Sequence, residues 1–154
     1  MQDDHPQLVD GKQVSRALKG HHSFFTTGPF VSLLVNDGSI GDLVPARGGK
    51  AHAEITVQAA PWVSVERVTL LLNGKEAKRW TVAPGTAAVR FHETFDLTSP
   101  RDGYVVVRVD GDKPLTPVVG DRKTFTAYPF ALTNPVFLDV DGDGRYRTGE
   151  KHGH

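Results

Sequence analysis

Ala51-His52-Ala53-Glu54-Ile55-Thr56-Val57-Gln58 alternates small or branched apolar residues with polar ones. Successive side chains of an extended chain point to opposite faces, so Ala53, Ile55 and Val57 face a core while His52, Glu54, Thr56 and Gln58 face water. The stretch reads as a half-buried strand, the unit from which antiparallel β folds are assembled. Downstream, Val63 and Val65 begin a second inward set that resumes at Val68, Leu70 and Leu72, and the change of phase at Glu66-Arg67 predicts a bulge. Asn73-Gly74 predicts a hairpin, because a type I′ turn needs positive φ at both central residues. The return strand carries Trp80 and Val82, and Pro84-Gly85 turns the chain again.

Val89, Phe91, Phe95 and Leu97 share one face of the next strand, and Val105, Val107 and Val109 face inward from the strand Tyr104 to Asp110. Glu93 falls on the apolar face of its strand, which is expected where an edge or a bulge lets it reach water. Upstream, Phe24 to Val35 is extended and broken at Gly28-Pro29, and Asn36-Asp37-Gly38 supplies a turn. Lys12 to Lys19 predicts a short helix with Val14, Ala17 and Leu18 on one side and Gly20 as its stop; so narrow a stripe needs something to lean on. Past Pro114 and Pro117 an irregular connection leads to Phe125–Phe130 and Val136–Val140. Roughly seven or eight strands and almost no helix predict an all-β fold, an immunoglobulin-like antiparallel β-sandwich. The division expected is an N-terminal arm with a short helix over residues 1–23 and the sandwich over residues 24–154.

The last of these strands runs into Asp139-Val140-Asp141-Gly142-Asp143-Gly144-Arg145-Tyr146-Arg147-Thr148-Gly149-Glu150. Aspartates at the first, third and fifth places, glycine at the sixth and glutamate at the twelfth have the spacing of a calcium loop. Ca²⁺ is a hard cation that takes about six to eight oxygen ligands. Asp139, Asp141, Asp143 and Glu150 would supply carboxylates and Arg145 its backbone carbonyl, with Arg147 reaching the ion through water. Gly144 permits the bend that brings the later ligands back. With Val136, Leu138 and Val140 in the core, alternation places Asp139 on the wet face. A strand precedes the loop and only four residues follow Glu150, so a helix–loop–helix pair is not expected. The ion would staple the end of a β-strand.

With 18 Lys plus Arg against 18 Asp plus Glu, the formal net charge is zero, and neither nucleic acid nor a membrane surface is an expected partner. No cysteine means no disulfide framework and no thiolate zinc site. No apolar run is long enough to span a bilayer, and polar residues follow Met1 where a signal peptide would be apolar. The 16 Gly and 10 Pro, spread among short Val, Leu and Thr runs, fit many turns. Nothing has the pattern of a serine nucleophile elbow, a phosphate-cradling loop or a helical zinc motif. His21 and His22 are adjacent, and neighbours in an extended segment do not converge on one ion. Trp62, just after Pro61, is either a sugar-stacking ring or a packing residue.

Three segments resemble one family. Ala17-Leu18-Lys19-Gly20-His21-His22-Ser23-Phe24-Phe25-Thr26-Thr27-Gly28-Pro29-Phe30 is similar to the segment leaving the PHP barrel in metallohydrolases of the CehA/McbA type. Gly103-Tyr104-Val105-Val106-Val107-Arg108-Val109 and the run from Pro129 through Thr133-Asn134-Pro135 to Asp141-Gly142-Asp143-Gly144 resemble the β-rich tail that follows it. The chain departs from the family at His21-His22, where Gly-Arg is usual. The likeness implies a parent enzyme in which a divalent-metal barrel hydrolyses ester or phosphoester-type bonds. Its metal ligands lie upstream of this chain, so no catalytic residue carries over and the barrel, in the same or a parent chain, becomes the expected partner.

The leading expectation is a non-catalytic accessory β-sandwich with a structural calcium loop. An independent carbohydrate-binding or adhesion module, with Trp62 facing a polymer, is the alternative from another class. A third reading makes the chain a hydrolase using Glu93 and His92, against which stands their pointing to opposite faces. Weak calcium sites are common in extracellular modules, which leans the localisation towards periplasmic or extracellular.

Overall fold

Alternating apolar residues need a second alternating surface to cover them, and two stacked sheets provide it. The structure, a computed structural model, describes residues 11–20, 22–121 and 123–147. Helix α1 (Gly11–Lys19) precedes β1 (Phe24–Thr26), β2 (Phe30–Val35), β3 (Gly38–Ser39), β4 (Leu43–Pro45) and β5 (Lys50–Gln58). There follow β6 (Arg67–Leu72), β7 (Lys75–Thr81), β8 (Val89–Thr98) and β9 (Gly103–Asp110). The chain ends its regular structure in β10 (Gly120–Asp121), β11 (Phe125–Thr126), β12 (Phe130–Thr133) and β13 (Val136–Asp139).

One four-stranded sheet has the order β3-β2-β5-β8 and is antiparallel throughout. The larger, seven-stranded sheet is built around β9. Along one side of β9 lie β6 and then β7. Along the other lie β12 and then β13, flanked in turn by β1 and β4. Asn134-Pro135 separates β12 from β13, at a point where proline has no N–H to give a ladder. The β4–β13 pair is parallel, an exception to the antiparallel expectation. Phe137 N–H to Asp42 O and Ala46 N–H to Asp139 O, both 2.8 Å, extend that pair. A separate two-stranded ribbon joins β10 and β11.

The core is the set of residues the alternation selects. Ala53, Ile55 and Val57 of β5 are 0% exposed, and so are Val68 and Leu70 of β6, Val105, Val107 and Val109 of β9, and Val136 and Leu138 of β13. Burying each large one of these contributes about 1.5–3 kcal/mol. Trp80 closes the side of the sandwich, its ring 5.3 Å from Phe91 and 5.9 Å from Phe95 in edge-on contacts. The chain thus has the all-β, immunoglobulin-like sandwich architecture expected of it, with a short N-terminal helix.

The Asn73-Gly74 turn has φ of 52° and 75°, the positive pair that a type I′ hairpin requires. Glu93 is exposed because β8 is an outermost strand; His92 lies over β5 instead, its Nδ1 3.0 Å from Thr56 Oγ1. Other expectations shift. Val63 and Val65 are buried without belonging to a strand, since Val63 N–H closes a turn onto Ala60 O at 2.9 Å. The phase change at Glu66-Arg67 is simply where β6 begins, and the irregularity comes later, between Leu70 and Leu71 opposite β7. Helix α1 leaves Val14 and Leu18 exposed. No helix among the described residues is long and apolar enough to cross a membrane. Residues 1–10, His21, Arg122 and residues 148–154, Glu150 included, lie outside the described residues.

Candidate metal site

At the end of β13 the chain curls back over its own last residue. Asp139 is only 7% exposed, where alternation from Val136 and Leu138 had placed it on the wet face. The reason is local: Gly142 N–H donates to Asp139 Oδ1 at 2.7 Å and Gly144 N–H to Oδ2 at 3.0 Å. Gly142 and Gly144 adopt φ of 77° and 73°, a left-handed backbone that glycine enters without strain. The next acids repeat the device on a smaller scale. Asp141 Oδ1 accepts from Asp143 N–H at 3.1 Å, and Asp143 Oδ1 from Arg145 N–H at 2.8 Å. Short acidic side chains that bond the backbone two residues on favour such turns, so the loop shape follows from the residues themselves.

A fourth acid arrives from elsewhere in the chain. Asp102 lies in the connection between β8 and β9, and the β9–β13 ladder pairs Gly103 with Leu138. That register sets residue 102 beside the start of the loop. Asp102 Oδ1 accepts from Val140 N–H at 2.9 Å and its Oδ2 from Arg147 N–H at 3.2 Å, tying both ends of residues 140–147 to the neighbouring connection. Asp102, Asp139 and Asp141 then each bring a carboxylate oxygen to within 4.8 Å of the others. One is buried, one half-buried and one exposed, a graded mouth open to solvent.

The sequence-selected ligands divide accordingly. Asp139 and Asp141 belong to this convergent group, whereas Asp143 turns its Oδ2 to Arg147 Nη2 at 2.8 Å. Arg145 enters through its N–H, and its side chain is exposed. Tyr146, the eighth place, packs its ring 4.7 Å from that of Phe137 and so holds the loop down on the sheet. Burial, then Tyr104, then Asp102 push the Tyr146 phenol above its ordinary pKa, so it stays a neutral packing group. Nothing in the spacing of residues 139–150 pointed to Asp102; only pairing β9 with β13 brings it in.

Three converging carboxylates repel, by about 1 kcal/mol per pair at about 4 Å in water-like surroundings and more where water is excluded. A cation relieves that. The converging donors are oxygens, with no histidine or thiolate among them, which is the donor set of a hard ion such as Ca²⁺ or Mg²⁺ and a poor one for Zn²⁺. The residues therefore fit the ion that the spacing implies.

No family model matches the chain, and no curated protein matches it. Among solved structures, it is similar to the CARDB domain of the PF1109 protein from Pyrococcus furiosus in solution, at 18% identity and a TM-score of 0.43, over 73% of this chain and 96% of that one. The crystal structure of that domain in complex with di-metal ions gives 20% identity and a TM-score of 0.41, over 73% and 96% of the two chains. Fibronectin(III)-like modules of Clostridium thermocellum CbhA give 17% identity and a TM-score of 0.36, over 72% and 95%.

Proposed function

We propose that this chain is a non-catalytic accessory β-sandwich, the C-terminal part of a PHP-type metal-dependent hydrolase, whose final strand is stapled by a calcium ion. The observation that carries the metal half is the meeting of Asp139 and Asp141 with Asp102, inside a loop whose spacing is that of a calcium loop. Asp139, Asp141 and Asp102 would hold the ion through carboxylates. Asp143, the Arg145 carbonyl and Glu150 would complete the shell as the twelve-place pattern requires. The ion supplies positive charge and no bond-breaking chemistry. Because its ligands come from the β8–β9 connection as well as from the loop, binding joins two segments that the unfolded chain leaves apart, and so stabilises the folded state by mass action.

The accessory half is supported by the run from Pro129 to Gly144, which resembles the tail of CehA/McbA-type enzymes. His92 and Glu93 do not make an acid–base pair, since His92 turns to Thr56 and lies 3.9 Å from Glu54, while Glu93 faces solvent at the sheet edge. The purified chain should therefore turn over neither p-nitrophenyl acetate nor bis(p-nitrophenyl) phosphate with Mn²⁺, Zn²⁺ or Ca²⁺ present, while its melting temperature rises with free calcium. Sustained metal-dependent hydrolysis by the chain alone would defeat the accessory reading, and a melting curve indifferent to calcium would defeat the staple.

A further inference from the structure

We infer that the groove beside Trp62 binds a neutral carbohydrate, stacking a pyranose face on the indole and bonding its hydroxyls to the charged rim. The groove holds about 440 Å³ and lies far in sequence from the calcium loop, with Trp62, Glu66, Pro84, Arg90, Asp112 and Lys113 among its lining residues. That volume is in the range of about 300–1,000 Å³ typical of small-molecule clefts.

Trp62 is 52% exposed, whereas the other tryptophan, Trp80, is packed between Phe91 and Phe95. The core does not need Trp62, because Val63 and Val65 fill the inward places on either side of Ser64 at 2% and 6% exposure. Yet the ring is not on a loose loop. Ala60-Pro61-Trp62-Val63 is a turn closed by Val63 N–H on Ala60 O at 2.9 Å, and Arg90 Nη2 donates to the same oxygen at 2.7 Å. Arg90 Nη1 donates to Gly85 O across the groove, and Lys113 N–H bonds Ser64 Oγ at 3.0 Å. An aromatic platform held in place before the ligand arrives loses little entropy on binding.

The rim decides the class of ligand. Arg90 and Lys113 offer donors, Glu66 and Asp112 acceptors, and the four formal charges cancel. A polyanion would meet two acids and a polycation two bases. A sugar hydroxyl both donates and accepts, so it can use all four, while the C–H face of the ring covers the indole.

The test is native affinity electrophoresis of the full chain through gels containing hydroxyethyl-cellulose, xylan, laminarin or glycogen. At least one polymer should retard the wild-type chain. Trp62→Ala should weaken that retardation by about ten-fold or more, with Trp62→Phe keeping part of it. Both variants should melt as the wild type does and keep its response to calcium, since Trp62 contributes little to the core and nothing to the acidic site. Free passage through all four polymers would overturn the inference, as would equal retardation of a folded Trp62→Ala chain.

Discussion

In chelator, Asp141→Asn melts above the wild-type chain; in calcium it melts below it. The sign reverses because one carboxylate plays opposite parts in the two states. Without an ion, Asp141 adds a negative charge to Asp102 and Asp139, whose nearest oxygens lie within 4.8 Å. Asparagine removes that charge, and its own Oδ1 can still accept the Asp143 N–H. Asp141 is exposed, so the relief is on the order of 1 kcal/mol. With the ion present the same substitution removes a charged ligand. At calcium about 100-fold above its dissociation constant, binding adds about 2.7 kcal/mol to wild-type stability, or about 5–10 °C in melting temperature for a domain of this size. The variant should lose a large share of that gain.

Asp102→Asn should lose the calcium gain in the same way, although residue 102 lies 37 positions before the loop begins at Asp139. It should not melt above the wild-type chain in chelator, because Oδ1 and Oδ2 accept the Val140 and Arg147 N–H groups and an amide sets a donor against one of them. Asp139→Asn shares that cost. Both Asp139 oxygens accept backbone N–H groups, so its amide would set a donor against a donor and cost about 1–3 kcal/mol with or without calcium. Melting curves of the three variants in EDTA and in calcium separate these roles. An Asp102→Asn chain with the full wild-type calcium response would remove Asp102 from the ion's shell.

Gly49→Ala should cost about 3–4 kcal/mol, while Gly48→Ala, one residue earlier, costs about 1 kcal/mol. Both glycines have positive φ, 68° and 75°, so an alanine at either is strained. Space distinguishes them. A Cβ on Gly48 meets nothing within 4 Å, whereas one on Gly49 would overlap the carbonyl oxygen of Ser99. Backbone stands in the way, and backbone cannot rotate aside as the end of a side chain can. Gly49 also receives Ser99 N–H on its carbonyl at 2.7 Å and donates to Ala46 O at 2.8 Å, which fastens the open end of the β5–β8 ladder next to the Lys50–Thr98 pair. Urea unfolding of both variants measures the difference, and equal midpoints would contradict the close approach.

What could be read from the residues was whatever depends on near neighbours. The alternation in β5 and the positive-φ pair at Asn73-Gly74 are local, and both take their expected form. The inward valines of β9 and β13 were legible for the same reason. Four features were not. Val63 and Val65 have a strand's spacing but fill the core from a turn, because Pro61 and the bond from Val63 to Ala60 bend the chain there. Asp139 has an outward place in its strand, yet the N–H groups of residues 142 and 144 fold over it, which a period-two rule cannot express. Asp102 stands in Ser99-Pro100-Arg101-Asp102-Gly103, a stretch that carries only turn chemistry. Its place in the acidic group comes from the β9–β13 register, a pairing between segments over thirty residues apart. The parallel β4–β13 pair is illegible on similar grounds, since nothing short-range favours it.

Isothermal titration of the chelator-stripped chain with calcium tests the staple most directly. One ion per chain, bound at millimolar or lower concentration and lost in Asp139→Asn, is the result this account predicts. A wild-type chain that is folded and takes up no calcium at millimolar concentration would contradict it.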